Sequence, residues 1–261
     1  MTVGIVNHLW QSTLFALLAA LLVLVLRKNA ARVRYWVWFA ASVKFLVPFS
    51  ALSWLGGQLS WRVAPTANDV PPVFIATLQG IAAPASPSPS VAVASGAASF
   101  DFVTFALAIW LLGCLAFALR WLANWHSITS DARAAKRLTM DLPMPVKASS
   151  QLHEPVVVGI LRPVMLMPEG IEQRLTAAQM QAIVAHELCH ARHRDNLTAA
   201  IHMIVEVLFW FHPLVWWIGA RLVEERERAC DEAVLASGNE PERYAEGILK
   251  VCELYVESRI A

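Results

Sequence analysis

The stretch from Leu9 to Leu26 carries no charged side chain, and it restricts the possible folds more than any other feature of the chain. As a helix it is long enough to cross the ~30 Å hydrocarbon core of a bilayer. Two further apolar stretches follow. One runs from about Tyr35 to Leu55 with Lys44 and Pro48 inside it, the other from about Phe102 to Leu122 with Arg120 near its end. Composition points the same way: 57% of the residues are hydrophobic, 16% are charged and 11 are Trp, which is too apolar for a soluble domain of this length. The expectation is therefore a mainly α membrane protein with three transmembrane helices, at about 9–26, 35–55 and 102–122, whose first partner is the lipid bilayer. A signal peptide is the alternative reading of the first span, but no basic stretch precedes it and no small-residue cleavage site follows. A net charge of +1 leaves no footprint for direct nucleic-acid binding.

Positive charge orients the spans. Arg27, Lys28, Arg32 and Arg34 follow the first, Arg62 alone marks the 56–100 loop, and Arg133, Lys136 and Arg137 follow the third. The positive-inside rule then places the N-terminus outside, the first loop inside, the 56–100 loop outside and everything after about residue 124 in the cytoplasm. The chain divides into a membrane region, 1–124, and a cytoplasmic domain, 125–261, in a multi-pass protein of the inner or plasma membrane. The 56–100 segment is rich in Pro, Ala and Ser, notably from Ala83 to Ser90, and reads as a flexible extracytoplasmic connection. Lys44 is expected to face protein or water. Cys114, Cys189, Cys230 and Cys252 show no C-x-x-C spacing, so reduced thiols are expected, with Cys189 and Cys230 assigned to packing.

The chemistry concentrates at His186-Glu187-Leu188-Cys189-His190, the H-E-x-x-H pattern of zinc peptidases. On a helix, residues four apart share a face, so both imidazoles reach one ion. The preceding residues predict such a helix. Thr176 is a suitable N-cap, Gln179 completes a capping box, and no Gly or Pro interrupts the run from Leu175 to Ala185. Zn²⁺ accepts neutral imidazole nitrogen and leaves a position open for water in catalytic sites. Glu187 would then serve as general base. Alone, the short motif is equally compatible with an ordinary helix.

A third ligand can be sought in two ways. A third His six residues after the second, with a Gly midway, would require other residues than Asn196 and His193. His193 shares the helical face but lies a turn too far along. The other source is a Glu from a later helix, within Glu224-Glu225-Arg226-Glu227-Arg228-Ala229-Cys230-Asp231-Glu232. Glu227 has Asp231 four residues on, so a ligand carboxylate and a second carboxylate able to accept the free N–H of a bound imidazole share one face. Glu227 is the expected ligand and Asp231 its supporting carboxylate. The alternative is a solvated charged helix face.

Between these elements lies an apolar stretch, Leu197 to Val223. Crossing the bilayer straight, it would part Glu227 from His186 and His190. His212-Pro213 predicts a break, because the residue before Pro disfavours helical geometry. Each arm of about ten to fifteen residues is then too short to span. The result is a helical hairpin, either at the interface, where Trp210, Trp216 and Trp217 would sit well, or buried in a soluble domain. Upstream, Glu154–Ile160 and Pro163–Pro168 read as two short strands joined through Gly159 to Arg162. Such an edge could bind an extended substrate by strand addition, or the hairpin could be purely structural.

Taken together, the strings Glu154-Pro155-Val156-Val157-Val158-Gly159, Arg162-Pro163-Val164-Met165-Leu166-Met167-Pro168, His186–His190 with His193-Arg194-Asp195-Asn196, Trp210-Phe211-His212-Pro213 and Glu227–Glu232 resemble the BlaR/MecR-type integral-membrane metallopeptidases. The resemblance runs over roughly residues 1–261 and is most specific from 150 to 235. It implies three N-terminal spans, a cytoplasmic α+β zincin-like metalloprotease domain with a small β-hairpin or sheet, and signal-dependent proteolysis. Well-known members sense β-lactams through a further extracytoplasmic penicillin-binding domain and trigger loss of a transcriptional repressor. Here the sequence ends at Ala261 within a predicted helix, Pro241 to Ile260, so the protease domain is expected to be truncated. With no sensor domain in this sequence, a β-lactam role does not follow.

The leading functional expectation is a membrane zinc endopeptidase, with Zn²⁺ as cofactor, cutting a protein substrate: a transcriptional repressor or itself. A signal-transducing membrane scaffold with a structural zinc site is the alternative, and a metal-free membrane protein the third.

Overall fold

The charge-free run forms helix α1 (Thr2–Val25), which ends in a 3-10 turn, Leu26–Lys28, where the basic residues begin. The computed structural model describes residues 2–48, 102–238 and 240–260. The expected 56–100 connection and the last part of the second expected span therefore lie outside the described residues. Helix α2 (Ala31–Leu46) follows, then α3 (Phe102–Ala134), strands β1 (Lys136–Leu138), β2 (Val146–Ser149), β3 (Val156–Val158) and β4 (Val164–Pro168), and a 3-10 turn, Ile171–Gln173. Four helices complete the chain: α4 (Ala177–His193), α5 (Asp195–Leu208), α6 (Pro213–Ala236) and α7 (Pro241–Ile260).

Among the described residues two helices are long and apolar enough to cross a membrane, Gly4–Lys28 and Phe102–Ala134. Their large side chains, such as Leu18, Leu21 and Leu24 on α1 and Phe102, Leu112 and Leu115 on α3, are exposed. Contiguous apolar surface of this kind is what lipid covers, and it marks a membrane-associated chain. The second expected span, 35–55, is described only as far as residue 48. Its helix starts earlier, at Ala31, and stops at Leu46, one residue before extended Val47 and two before Pro48. At 16 residues it is about 24 Å long, and it carries Arg32, Arg34 and Lys44.

One face of α2 is embedded in protein. One apolar cluster joins Ala16 and Ala19 of α1, Tyr35, Trp38, Ala41 and Phe45 of α2, Val205 of α5 and Val215, Ile218 and Leu222 of α6. Alanines on α1 let α2 approach closely on one side, and the α5–α6 hairpin covers the other. The hairpin turns at Phe209–His212, with Pro213 opening α6 at the position where its missing N–H costs no helical bond. α6 then runs unbroken for 24 residues, longer than the ten to fifteen expected for an arm, so the apolar arm and the acidic cluster are one rigid rod.

Strands β3 and β4 form the expected hairpin, antiparallel with Val157 opposite Met165. β1 and β2, which sequence patterning did not reveal, extend it to four strands in the order β1-β2-β4-β3, with β2 parallel to β4. One face of the sheet packs on α4 through Val146, Val157, Met165, Met167, Ile183 and Val184. β3 is thereby the edge strand beside α4.

Polar contacts fasten α2 to the hairpin. Arg34 Nε donates to Glu225 Oε2 at 2.8 Å, both side chains being less than a tenth exposed, and its Nη1 donates to the carbonyls of Arg27 and Asn29. Glu232 Oε2 accepts the N–H of Ala31 at 2.8 Å, capping α2. Removing one partner of a buried pair strands the other charge. Arg34→Ala should therefore cost about 3–5 kcal/mol, read as a lowered melting point of the detergent-solubilised chain. The apolar double variant Arg34→Met/Glu225→Leu should recover most of the loss.

Candidate metal centre

The capping box predicted at the start of α4 is present. The Thr176 hydroxyl accepts from the Gln179 N–H at 3.3 Å, and the Gln179 side chain accepts from the Thr176 N–H at 3.0 Å. The helix so begun carries His186 and His190 one turn apart. Their Nε2 atoms lie 3.1 Å from each other and 3.4 Å each from Glu227 Oε2 on α6. Glu187 lines the same cleft, of about 390 Å³, with Val157 of the edge strand, Asn196 and Arg226.

The acidic run on α6 divides by face. Glu224 points outward and pairs with Arg221 and Arg228, Glu225 turns to Arg34, and Glu227 turns to the imidazoles. Arg226 donates to Glu227 Oε1 from Nε at 3.0 Å and Nη2 at 2.8 Å, which leaves Oε2 free to face the rings.

Each ring is held from behind. Nδ1–H of His190 donates to Asp195 Oδ2 at 2.7 Å, and Asp195 is 4% exposed. His186 Nδ1 lies 2.7 Å from the Tyr244 hydroxyl, which itself donates to Asp231 Oδ1 at 2.6 Å. Asp231, expected to accept from an imidazole directly, lies 3.3 Å from that Nδ1; its closer connection to His186 runs through Tyr244. With its Nδ1 donating, each ring in its neutral form presents a lone pair at Nε2.

Three atoms able to bind a cation thus converge. Ligands about 2.05 Å from a tetrahedral zinc stand about 3.3 Å apart, close to the spacings observed. The electrostatics agree. Burial disfavours a charged His190, yet its bonds to Asp195 and Glu227 outweigh this and push the ring up to about 10. Burial likewise opposes the Glu227 carboxylate, but the His186 and His190 rings hold it far below the usual range. The pocket is built for positive charge, and the residues fit a divalent cation. Burial raises the Glu187 carboxyl, with the His190 and His186 rings and the Val157 backbone pulling the other way.

Asp195, Tyr244 and Asn196 have no assigned site role in the sequence reading. Asp195 returns to His190 because Arg194 adopts a left-handed conformation (φ 56°), folding the start of α5 back over the end of α4. The juxtaposition depends on one backbone angle that no residue pattern announces. Asn196 Nδ2 donates to the carbonyls of Val157 and Gly159, each at 3.0 Å. Those edge acceptors are therefore engaged, and a substrate strand joining there must displace the amide. His193 points away from the trio, to Cys189.

Similarities to known proteins follow this geometry. The family model described as BlaR1 peptidase M56 matches residues 7–258. The regulatory protein BlaR1 of Bacillus licheniformis is 32% identical over 131 residues, covering 49% of this chain and 21% of that protein. The methicillin resistance mecR1 protein of Staphylococcus aureus is 27% identical over 107 residues, 40% of this chain and 18% of the other. A protease HtpX homolog of Lactiplantibacillus plantarum is 34% identical over 67 residues, 23% of this chain and 21% of that protein. Each match thus spans about a fifth of the relative's own length.

Loss of a group that orients a metal-binding ring typically weakens metal affinity 10–100-fold. Asp195→Asn and Tyr244→Phe should each do so by about that factor, measured by competition with a chelating dye. The metal-free His190 ring keeps its proton below about pH 10, so a cation must displace it at neutral pH. Apparent zinc affinity should accordingly rise about tenfold per pH unit between about pH 6 and 8; a flat profile would contradict the assignment.

Proposed function

Because the chain belongs to the BlaR1 peptidase M56 family, we propose that it is a membrane zinc endopeptidase cutting a protein substrate in a signalling pathway. The observation that carries this reading is the meeting of His186 Nε2, His190 Nε2 and Glu227 Oε2 in a cleft shared with Glu187. Zinc held by those three residues would polarise the scissile carbonyl and bring the pKa of a water to about 7.

Glu187 is the general base. Its carboxyl, raised by burial, takes the proton of the attacking water and passes it to the departing nitrogen. Asp195 and Tyr244, the latter backed by Asp231, keep both imidazoles in the tautomer that offers Nε2. Arg226 restrains the Glu227 carboxylate.

The membrane arrangement supports proteolysis on the cytoplasmic side. α1, the 35–55 stretch that begins within α2, and α3 cross in three passes, and the basic residues 27–34 and 133–137 hold the first loop and residues 125–261 inside. The substrate is a transcriptional repressor or the chain itself. This rests on relatives described as regulatory and resistance proteins and on the protease homolog.

Glu187→Gln should leave the metal content unchanged and lower cleavage at least ~10²-fold, scored by comparing proteomes of cells carrying either form. Undiminished proteolysis with full metal would sink the catalytic reading and favour a scaffold with a structural metal.

A further inference from the structure

Three residues further along both helices, a second trio repeats the arrangement of the first. His186 and His190 of α4 meet Glu227 of α6; adding three to each number gives Cys189, His193 and Cys230. These also converge, with their ligand atoms all within 4.8 Å of one another. Three residues of α-helix amount to about 4.5 Å of rise and a rotation of about 60° from the starting face. The second trio therefore occupies an adjoining patch of the same α4–α6 interface, and none of its members lines the cleft.

We propose that Cys189, His193 and Cys230 form a second metal site, for a thiophilic d¹⁰ cation such as zinc. Cys189 Sγ lies 3.4 Å from His193 Nδ1, and Cys230 Sγ lies 3.9 Å from the same nitrogen. A tetrahedral zinc with ordinary Zn–S and Zn–N bonds sets sulfur and nitrogen ligands about 3.6 Å apart, so small side-chain adjustments close the cage. Two sulfurs and an imidazole select soft or borderline cations over magnesium or calcium. Both thiols are buried, Cys230 completely, whereas His193 is half-buried and marks the side from which an ion enters. Each thiol gives up its proton to solvent as it binds.

A competing use of Cys230 is contact with His190, whose Nδ1 lies 3.4 Å from its sulfur. That nitrogen is already engaged by Asp195 at 2.7 Å, which leaves Cys189 and His193 as the partners of Cys230. The second site uses none of the residues assigned to peptide cleavage, so it stands or falls separately.

The test is cobalt(II) titration of the full chain in detergent under reducing conditions, in a Cys114→Ser/Cys252→Ser background. The expected result is a thiolate-to-cobalt charge-transfer band, bleached by added zinc. The band should be lost in Cys230→Ser and in His193→Ala. It should persist in His186→Ala, which disables the first trio, so a failed peptidase reading would not remove it. No band in the starting protein, or a band unaffected by His193→Ala, overturns the proposal. Should Cys230→Ser fail to fold, His193→Ala alone decides, since that ring is only half-buried. A Cys189–Cys230 disulfide that persists under reduction also overturns it.

Discussion

Everything in the structure depends on α6 returning beside α4. His186 and Glu227 are 41 residues apart, and the intervening chain is mostly apolar. The return is built from a tight turn, in which the His212 N–H reaches the Phe209 carbonyl, and from close contact between the two arms. At Gly219 of α6 a Cβ would stand 2.6 Å from His202 Nε2 and 2.9 Å from Glu206 Oε1, both on α5. A side chain at this position would force both of those groups to shift. The turn itself is braced by α3. The Trp110 indole donates to the Leu208 carbonyl at 2.9 Å, and the Trp210 indole packs against Gly113.

Much of this was legible in the residues, and the reasons differ by element. The α4 helix is a local matter: a capping box, no breakers and the four-residue spacing of its histidines suffice. The hairpin was legible because Pro213 acts on its own neighbour. Glu227 could be selected from its acidic run because Asp231 sits one turn on, although the link from Asp231 to His186 passes through Tyr244, on the predicted helix Pro241 to Ile260 to which no site residue was assigned. α2 is legible only in part, for a physical reason. Hydropathy measures how apolar a segment is, not what covers it, and here protein covers much of it. β1 and β2 carry too few alternating residues to stand out, and β2 acquires its role by pairing with a strand distant in sequence.

The polar residues of α2 add a thread between the apolar helices and the candidate centre. The Tyr35 hydroxyl donates to Thr198 Oγ1, Thr198 donates to the Asp195 carbonyl at 3.0 Å, and the Asp195 carboxylate holds His190. Ser42 pairs with His202 lower on the same helices. Buried hydrogen bonds of this kind are costly to leave unmade, so α2 and α5 keep one register with respect to each other.

α3 has a consequence of a different sort. It contains 33 residues, so as a straight rod it reaches about 50 Å, some 20 Å beyond a ~30 Å hydrocarbon layer. A single residue, Ala135, separates its end from β1. The helix therefore carries the sheet directly at its end, and were it to cross a bilayer, its extra length would set how far from the lipid the mouth of the cleft stands.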